Sequence, residues 1–132
     1  MAKKVLLVGH CGADAAYLKL AIKKAAGNDV DIRNADDSKS LESALGAGAD
    51  LVLFNRELGY GFATDEGVEA IRALRPLHPN TKMMLVTNYP EYQQAAIAAG
   101  ATPGFGKREL GSGRVTDLLR EALGAEAPAS KN

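Results

Sequence analysis

Several polar side chains that could support chemistry lie at or just beyond the end of a short apolar run: His10, Asn55, Thr87 and Asn88. Because ligands of open α/β sheets bind beyond the carboxyl ends of the strands, we expect these side chains to share one end of a sheet. Asn55 is the first position at which to look for function. Its amide can donate and accept hydrogen bonds, but it does not titrate and is a poor nucleophile.

His10 and Cys11 place an imidazole and a thiol side by side. Such a pair could bind zinc, copper or haem, or form an activated thiolate. Adjacent residues on a strand point to opposite faces, however, and a structural zinc site needs four ligands. The only other histidine, His78, is expected at the opposite end of the sheet. We therefore predict no metal or other cofactor, and we keep a metal or redox role as a minor alternative.

Apolar patterning predicts the strands that must position these residues. Continuous apolar runs at 5–8, 51–54 and 83–86 are typical of strands buried on both faces, and residues 30–33 alternate as a strand near a sheet edge would. We expect a short, weak fifth strand around Phe105. Helical segments fill the intervals, and right-handed crossovers turn this alternation into an α/β fold with a parallel sheet covered on both faces.

Local signals predict where the helices begin and end. Ser38 or Ser40 is the expected N-cap of the second helix, and Thr64 is the expected N-cap of the third. Pro90 suits the first position of the fourth helix, and Gly124 is expected to end the fifth.

The chain has 132 residues, 46% of them hydrophobic, with equal numbers of acidic and basic side chains. This length predicts one domain, which we place over residues 1–124. Residues 125–132 are polar and alanine-rich, and we expect them to form a disordered tail. A net charge of zero argues against general attraction to nucleic acid or to an anionic membrane. A single cysteine and the absence of a signal-peptide core favour a soluble, cytoplasmic protein.

The ordered set of segments resembles a response-regulator receiver domain, the chemotaxis-regulator type of the flavodoxin-like fold. The matching segments are 4–8, 50–55, 65–72, 84–87 and 99–107. The resemblance implies a (βα)5 three-layer sandwich with strand order 2-1-3-4-5. It also implies that Thr87 matches the hydroxyl residue after the fourth strand, that Phe105 matches the aromatic residue of the fifth strand, and that Lys107 matches the lysine after it.

The sequence departs from the receiver pattern at the residues that carry phosphorylation. Gly9 and His10 stand where receivers have an acidic pair for magnesium, and Asn55 stands where they have the phosphoaccepting aspartate. Phosphoryl transfer needs a carboxylate nucleophile and a divalent cation, and that cation prefers oxygen ligands. The resemblance therefore implies a pseudo-receiver, not an enzyme, that is not phosphorylated at the usual position.

The resemblance further implies action through protein partners in two-component or related signalling. A histidine kinase or another regulator is expected to bind, with a homodimer as an alternative. The predicted partner-binding surface contains Tyr89, Tyr92, Phe105 and Arg108. Phe105 is expected either to be partly exposed at that surface or to fill the core.

Other interpretations stay open for the strand-end residues. Lys107 is expected to be solvated or paired with Glu57, and Thr87 is expected mainly to end its strand. A small-ligand or metal/redox sensor would use the pocket around Asn55, His10 and Cys11. A third alternative is phosphorylation at another side chain such as His10. The aromatic and glycine-rich loop 56–62 is the segment most expected to define what the protein binds.

Overall fold

The computed structural model describes residues 2–124, in which four parallel strands form one sheet with the order β2-β1-β3-β4. The strands are β1 (Lys4–Val8), β2 (Asp31–Ala35), β3 (Leu51–Asn55) and β4 (Lys82–Val86). Their parallel pairing confirms the α/β class and brings the carboxyl ends of all four strands to the same edge.

In the described part of the chain, five α-helices cover the sheet: α1 (Gly12–Ala26), α2 (Ser38–Ala47), α3 (Gly67–Leu74), α4 (Pro90–Ala98) and α5 (Gly113–Leu123). Pro90 begins α4, and Gly124 ends α5 in a left-handed conformation, both as predicted. The predicted caps of α2 and α3 were wrong. Asp37 caps α2 through a capping box with Ser40, and the N-cap of α3 is Glu66, whose side chain makes no capping hydrogen bond.

The predicted fifth strand is reduced to a single bridge within residues 2–124. Phe105 pairs with Val86 alone, and the Phe105 carbonyl accepts a hydrogen bond of 3.0 Å from the Thr87 amide. Pro103 has no N–H to donate to a ladder, and Gly104 passes so close to the Leu85 carbonyl that an added Cβ would overlap it. The segment therefore runs beside β4 without forming a strand, and the predicted order 2-1-3-4-5 becomes 2-1-3-4.

The core has two layers, one on each face of the sheet. One layer lies between the sheet and α1 and α5, and the other lies between the sheet and α2, α3 and α4. Leu51, Val52, Leu53 and Phe54 of β3 are fully buried, as the continuous apolar run predicted. Buried on both faces, β3 holds Asn55 at a fixed place on the sheet edge. No helix within residues 2–124 is long and apolar enough to span a membrane.

Candidate functional site

Asn55, the last residue of β3, uses its side-chain amide to join two loops. Its Nδ2 atom donates to the Gly9 carbonyl at 3.2 Å and to the Glu57 carbonyl at 2.9 Å. Both acceptors are backbone oxygens that flank the end of the strand. An ionised carboxylate at this place has no proton to donate and would face two carbonyl oxygens. The local backbone is therefore arranged around a hydrogen-bond donor.

Gly9 occupies a position where no larger residue fits without strain. Its φ of +78° lies in the left-handed region that L side chains rarely adopt. A Cβ built there would lie 2.8 Å from Leu58 Cδ2 and 3.3 Å from Leu58 Cα. Buried Leu58 thus fills the space that a side chain at position 9 would occupy.

The His10 side chain contacts the backbone of β3. Its Nε2 atom lies 2.9 Å from the Leu53 carbonyl oxygen. Because a carbonyl oxygen only accepts hydrogen bonds, Nε2 carries the proton and donates it. Its Nδ1 atom is buried and has no hydrogen-bond partner within residues 2–124. Burial lowers the pKa of this imidazole, the bond to Leu53 partly offsets that effect, and the charge of Lys107 lowers the pKa further. His10 is therefore a neutral donor to the sheet.

Cys11 serves as the N-cap of α1. Its exposed thiol accepts a hydrogen bond of 3.5 Å from the Asp14 amide. His78 precedes β4, at the opposite end of the sheet from His10, as predicted. Across residues 2–124, no three side chains of histidine, cysteine, aspartate or glutamate come together as a metal site.

Lys107 forms an ion pair that the sequence did not indicate. Its Nζ atom lies 2.6 Å from Asp14 Oδ2, and the side chains are 34% and 32% exposed. This hydrogen bond is the main cause that lowers the pKa of Asp14. The predicted pairing of Lys107 with Glu57 is wrong, since Glu57 contacts Arg56 instead, at 3.5 Å. The lysine thus joins α1 to the segment after β4.

The Thr87 hydroxyl makes a hydrogen bond within the turn that follows β4. The residue is 8% exposed, and its Oγ1 atom accepts a hydrogen bond of 3.2 Å from the Tyr89 amide. The hydroxyl therefore stabilises the turn from β4 into α4. The Oδ1 atom of Asn88 accepts a hydrogen bond of 3.0 Å from the Arg108 amide.

Of the four residues predicted to bind a partner, three are at least partly exposed and one lies in the core. The Arg56 guanidinium lies over the rings of Tyr89 and Tyr92, 5.4 and 4.9 Å from their centroids, in a cation–π cluster. Tyr89 and Arg108 are exposed, and Tyr92 is half-buried. Phe105 is only 1% exposed and packs in the core, so the expectation of a partly exposed Phe105 was wrong and the core alternative holds.

The loop after β3 is anchored on α2. The Ser38 amide donates to the Gly61 carbonyl at 2.8 Å, and the Ala63 amide donates to Ser38 Oγ at 2.7 Å. Tyr60 at the tip is fully exposed. An open cavity of about 480 Å³ beside the loop is lined by Arg56, Glu57, Gly59, Tyr60, Phe62, Asp65 and Glu66. Asn55 and His10 do not line it.

Solved structures that resemble this chain include response-regulator receiver domains. A response regulator from Thermotoga maritima superimposes with a TM-score of 0.74 at 18% identity, covering 95% of this chain and 100% of that chain. The receiver domain of Ssk1 from Saccharomyces cerevisiae, crystallised with the histidine phosphotransfer protein Ypd1, gives 0.72 at 14% identity over 92% and 89%. The dimer of the beryllofluoride-activated NtrC4 receiver domain gives 0.71 at 12% identity over 94% and 98%.

No family model matches the sequence, and no curated protein matches it. The similarity to solved structures shows the fold, which is that of a receiver domain. Within that fold, this chain carries an amide at the end of β3, a glycine packed against Leu58, and a lysine held by Asp14.

Proposed function

We propose that this chain is a receiver-fold signalling module that acts by binding protein partners and is not phosphorylated at Asn55. The observation that carries the proposal is the pair of hydrogen bonds from Asn55 Nδ2 to the carbonyls of Gly9 and Glu57. An amide cannot form the acyl phosphate that receivers use. In this chain it also holds together the two loops that would surround a phosphoryl group.

The residues around Asn55 support the same conclusion. Gly9 has no side chain to bind a metal ion, and Leu58 occupies the space where one would extend. The Nε2 atom of His10 is bonded to the Leu53 carbonyl, so it is unavailable as a ligand. Magnesium prefers oxygen ligands in near-octahedral geometry, which these two residues do not supply. The proposed module therefore works without magnesium-dependent activation.

Lys107 supports the proposal from the other side of the site. In the receiver pattern this lysine would meet a phosphoryl oxygen, but here its ammonium group contacts Asp14 at 2.6 Å. The ion pair supplies the lysine with an anionic partner within the chain. We infer that the module holds one resting arrangement that a phosphoryl group is not needed to complete.

The proposed partner is a signalling protein such as a histidine kinase, a phosphotransfer protein or another regulator. We place its binding surface at Tyr89, Tyr92 and Arg108, where the cluster with Arg56 fixes the orientation of both rings. Exposed aromatic and arginine side chains are enriched at binding hot spots. Phe105 packs in the core layer under α1 and α5, so we do not expect it to contact the partner.

Incubation with acetyl phosphate and magnesium, followed by intact-mass measurement, tests the absence of phosphorylation. We expect no phosphate adduct on the native chain. A stoichiometric adduct would overturn the proposal, and mapping it to His10 would favour the alternative phosphoacceptor.

Affinity capture from the native host tests the binding surface. We expect Tyr89→Ala and Arg108→Asp to lose a partner that the native chain retains. Tyr17→Ala is the matched control, because Tyr17 is an exposed tyrosine on α1. If Tyr17→Ala lost the partner while Tyr89→Ala and Arg108→Asp retained it, the binding surface would lie elsewhere.

A further inference from the structure

Strand β2 lies at one edge of the sheet, so only one side of its backbone pairs with β1. The Asp31 amide donates to the Lys3 carbonyl at 2.8 Å, and the Ala35 carbonyl accepts from the Gly9 amide at 3.3 Å. Because backbone groups alternate in direction along a strand, those of Ile32 and Asn34 point outward. The sheet order places no strand of residues 2–124 beside them.

The side chains on this edge carry opposite charges two residues apart. Asp31 and Arg33 lie on the same face of β2 as Ala35, whose side chain packs in the core layer under α2. Arg33 Nε lies 3.3 Å from Asp31 Oδ1, and the Arg33 side chain is 75% exposed. An exposed pair of this kind contributes little within one chain, so both charges are free to exchange partners.

We propose that this edge binds a second copy of the chain through antiparallel pairing of β2 centred on Ile32. In this register Asp31 of each copy lies opposite Arg33 of the other, which gives two complementary charge pairs. Centring the pair on Asp31 or on Arg33 would instead place like charges directly opposite, which is unfavourable. Of these three registers, the charge pattern therefore favours the one centred on Ile32.

The backbone geometry agrees with that register. Ile32 of one copy faces Ile32 of the other with both N–H and C=O groups directed outward, as a hydrogen-bonded antiparallel pair requires. Asn34 of each copy then lies opposite Val30 of the other. A two-fold axis through the Ile32 pair, normal to the sheet, would join the two sheets into one continuous sheet.

The structure also leaves room for the paired side chains. An open cavity of about 320 Å³ lies between β2 and α2, and Asp31 and Arg33 line it. Small α2 side chains line its other wall: Ser40, Ser43, Ala44 and Ala47. This space lies on the face where the exchanged charges would meet. Edge strands often carry charged side chains that prevent pairing with another chain. If the charges of β2 had that role, the chain would be a monomer.

Sedimentation velocity of the full chain from micromolar to near-millimolar concentration tests the proposal. We expect a dimer whose population rises with concentration and falls with added salt, since the pairing includes exposed ion pairs. Arg33→Asp should lower the association constant about tenfold or more. The double exchange Asp31→Arg with Arg33→Asp restores complementary charges and should recover the dimer.

Ile32→Pro provides a second variant that blocks the backbone pairing. The Ile32 N–H points away from β1, so proline removes no hydrogen bond to that strand. Circular dichroism should show an unchanged fold, and sedimentation should show a monomer.

Arg72→Asp is the matched control, because Arg72 is likewise an exposed arginine paired with a nearby acidic side chain, Glu69, but lies on α3 and outside both proposed binding surfaces. A dimer lost in this control but retained in Arg33→Asp would overturn the proposal, as would a native chain that stays monomeric throughout. The phosphate-adduct measurement does not depend on β2, so the two proposals can fail separately.

Discussion

Lys107 and Asp14 are 93 residues apart in sequence, yet their side chains meet at 2.6 Å and join α1 to the segment after β4. Both side chains are about one-third exposed, so solvent screens the pair. We expect a double-mutant cycle with Asp14→Asn and Lys107→Gln to give a coupling free energy of about 0.5 to 1 kcal/mol in urea unfolding.

The pH dependence of that coupling follows from the lowered pKa of Asp14. Since the folded-state pKa lies below the ordinary value of 3.8, the stabilisation is fully present above 3.8. It is lost as the pH falls through the lower folded value. A coupling that stayed constant on acidification through this range would contradict the ion pair.

The Asn55 amide is a donor, whereas the Asn88 amide oxygen is an acceptor. Asn55→Asp removes two donations to the carbonyls of Gly9 and Glu57 and should destabilise the fold by about 1 to 3 kcal/mol. Asn88→Asp keeps an oxygen for the Arg108 amide and should change stability by less than about 0.5 kcal/mol. Urea unfolding at neutral pH compares the two variants. Equal losses would show that the donor role of Asn55 is not special.

Gly9 and Gly12 offer a matched pair for restoring an acidic residue near β1. Gly9→Asp combines a left-handed backbone with overlap on Leu58, so we expect a loss of about 2 kcal/mol or more. Gly12→Asp faces open space at the first turn of α1, where an anion interacts well with the helix dipole. That variant should be neutral or slightly stabilising. Thermal unfolding distinguishes the two, and a stable Gly9→Asp variant would contradict the packing argument.

His10 should make stability fall on mild acidification. Its folded-state pKa lies below its ordinary value of 6.5, so its neutral form contributes fully above 6.5. The contribution is lost as the pH falls from 6.5 through the lower folded value, because protonation leaves a buried Nδ1–H without an acceptor. The charged groups facing the ring are Lys107, which disfavours its protonation, and Asp14, which favours it.

The variant His10→Gln tests this dependence, because glutamine can keep a donor toward Leu53 without titrating. We expect the native chain to lose more stability than the variant between neutral pH and about pH 5. Parallel pH profiles for the two proteins would assign the effect to other groups.

Much of the fold was predictable because buried strands contain runs of apolar residues. The continuous apolar runs of β1, β3 and β4 and the alternating β2 were recognisable, and so were the helix ends at Pro90 and Gly124. The fifth strand was not, because one aromatic residue between Pro103, Gly104 and Gly106 provides too little pattern to decide between a strand and a bridge. Phe105, the residue that forms this bridge, is buried in the core.

The site was predictable as a set of positions and less so as a set of contacts. Sequence placed Asn55, His10 and Thr87 at strand ends, as found. It could not show that Asn55 donates to the carbonyls of Gly9 and Glu57, because every residue offers a backbone carbonyl. The Lys107–Asp14 pair was missed because Asp14 had an ordinary explanation as an acidic residue in the first turn of α1.

The central claim is that phosphorylation at the end of β3 is prevented both by the amide of Asn55 and by its surroundings. Intact mass of the Asn55→Asp variant after incubation with acetyl phosphate and magnesium tests it most directly, with the native chain and Asn88→Asp as controls. We predict no adduct on any of the three proteins, because Gly9 and His10 supply no carboxylate for the metal ion. A stoichiometric adduct on Asn55→Asp alone would show that the surroundings remain competent, and an adduct at Asn55 of the native chain would contradict the claim outright.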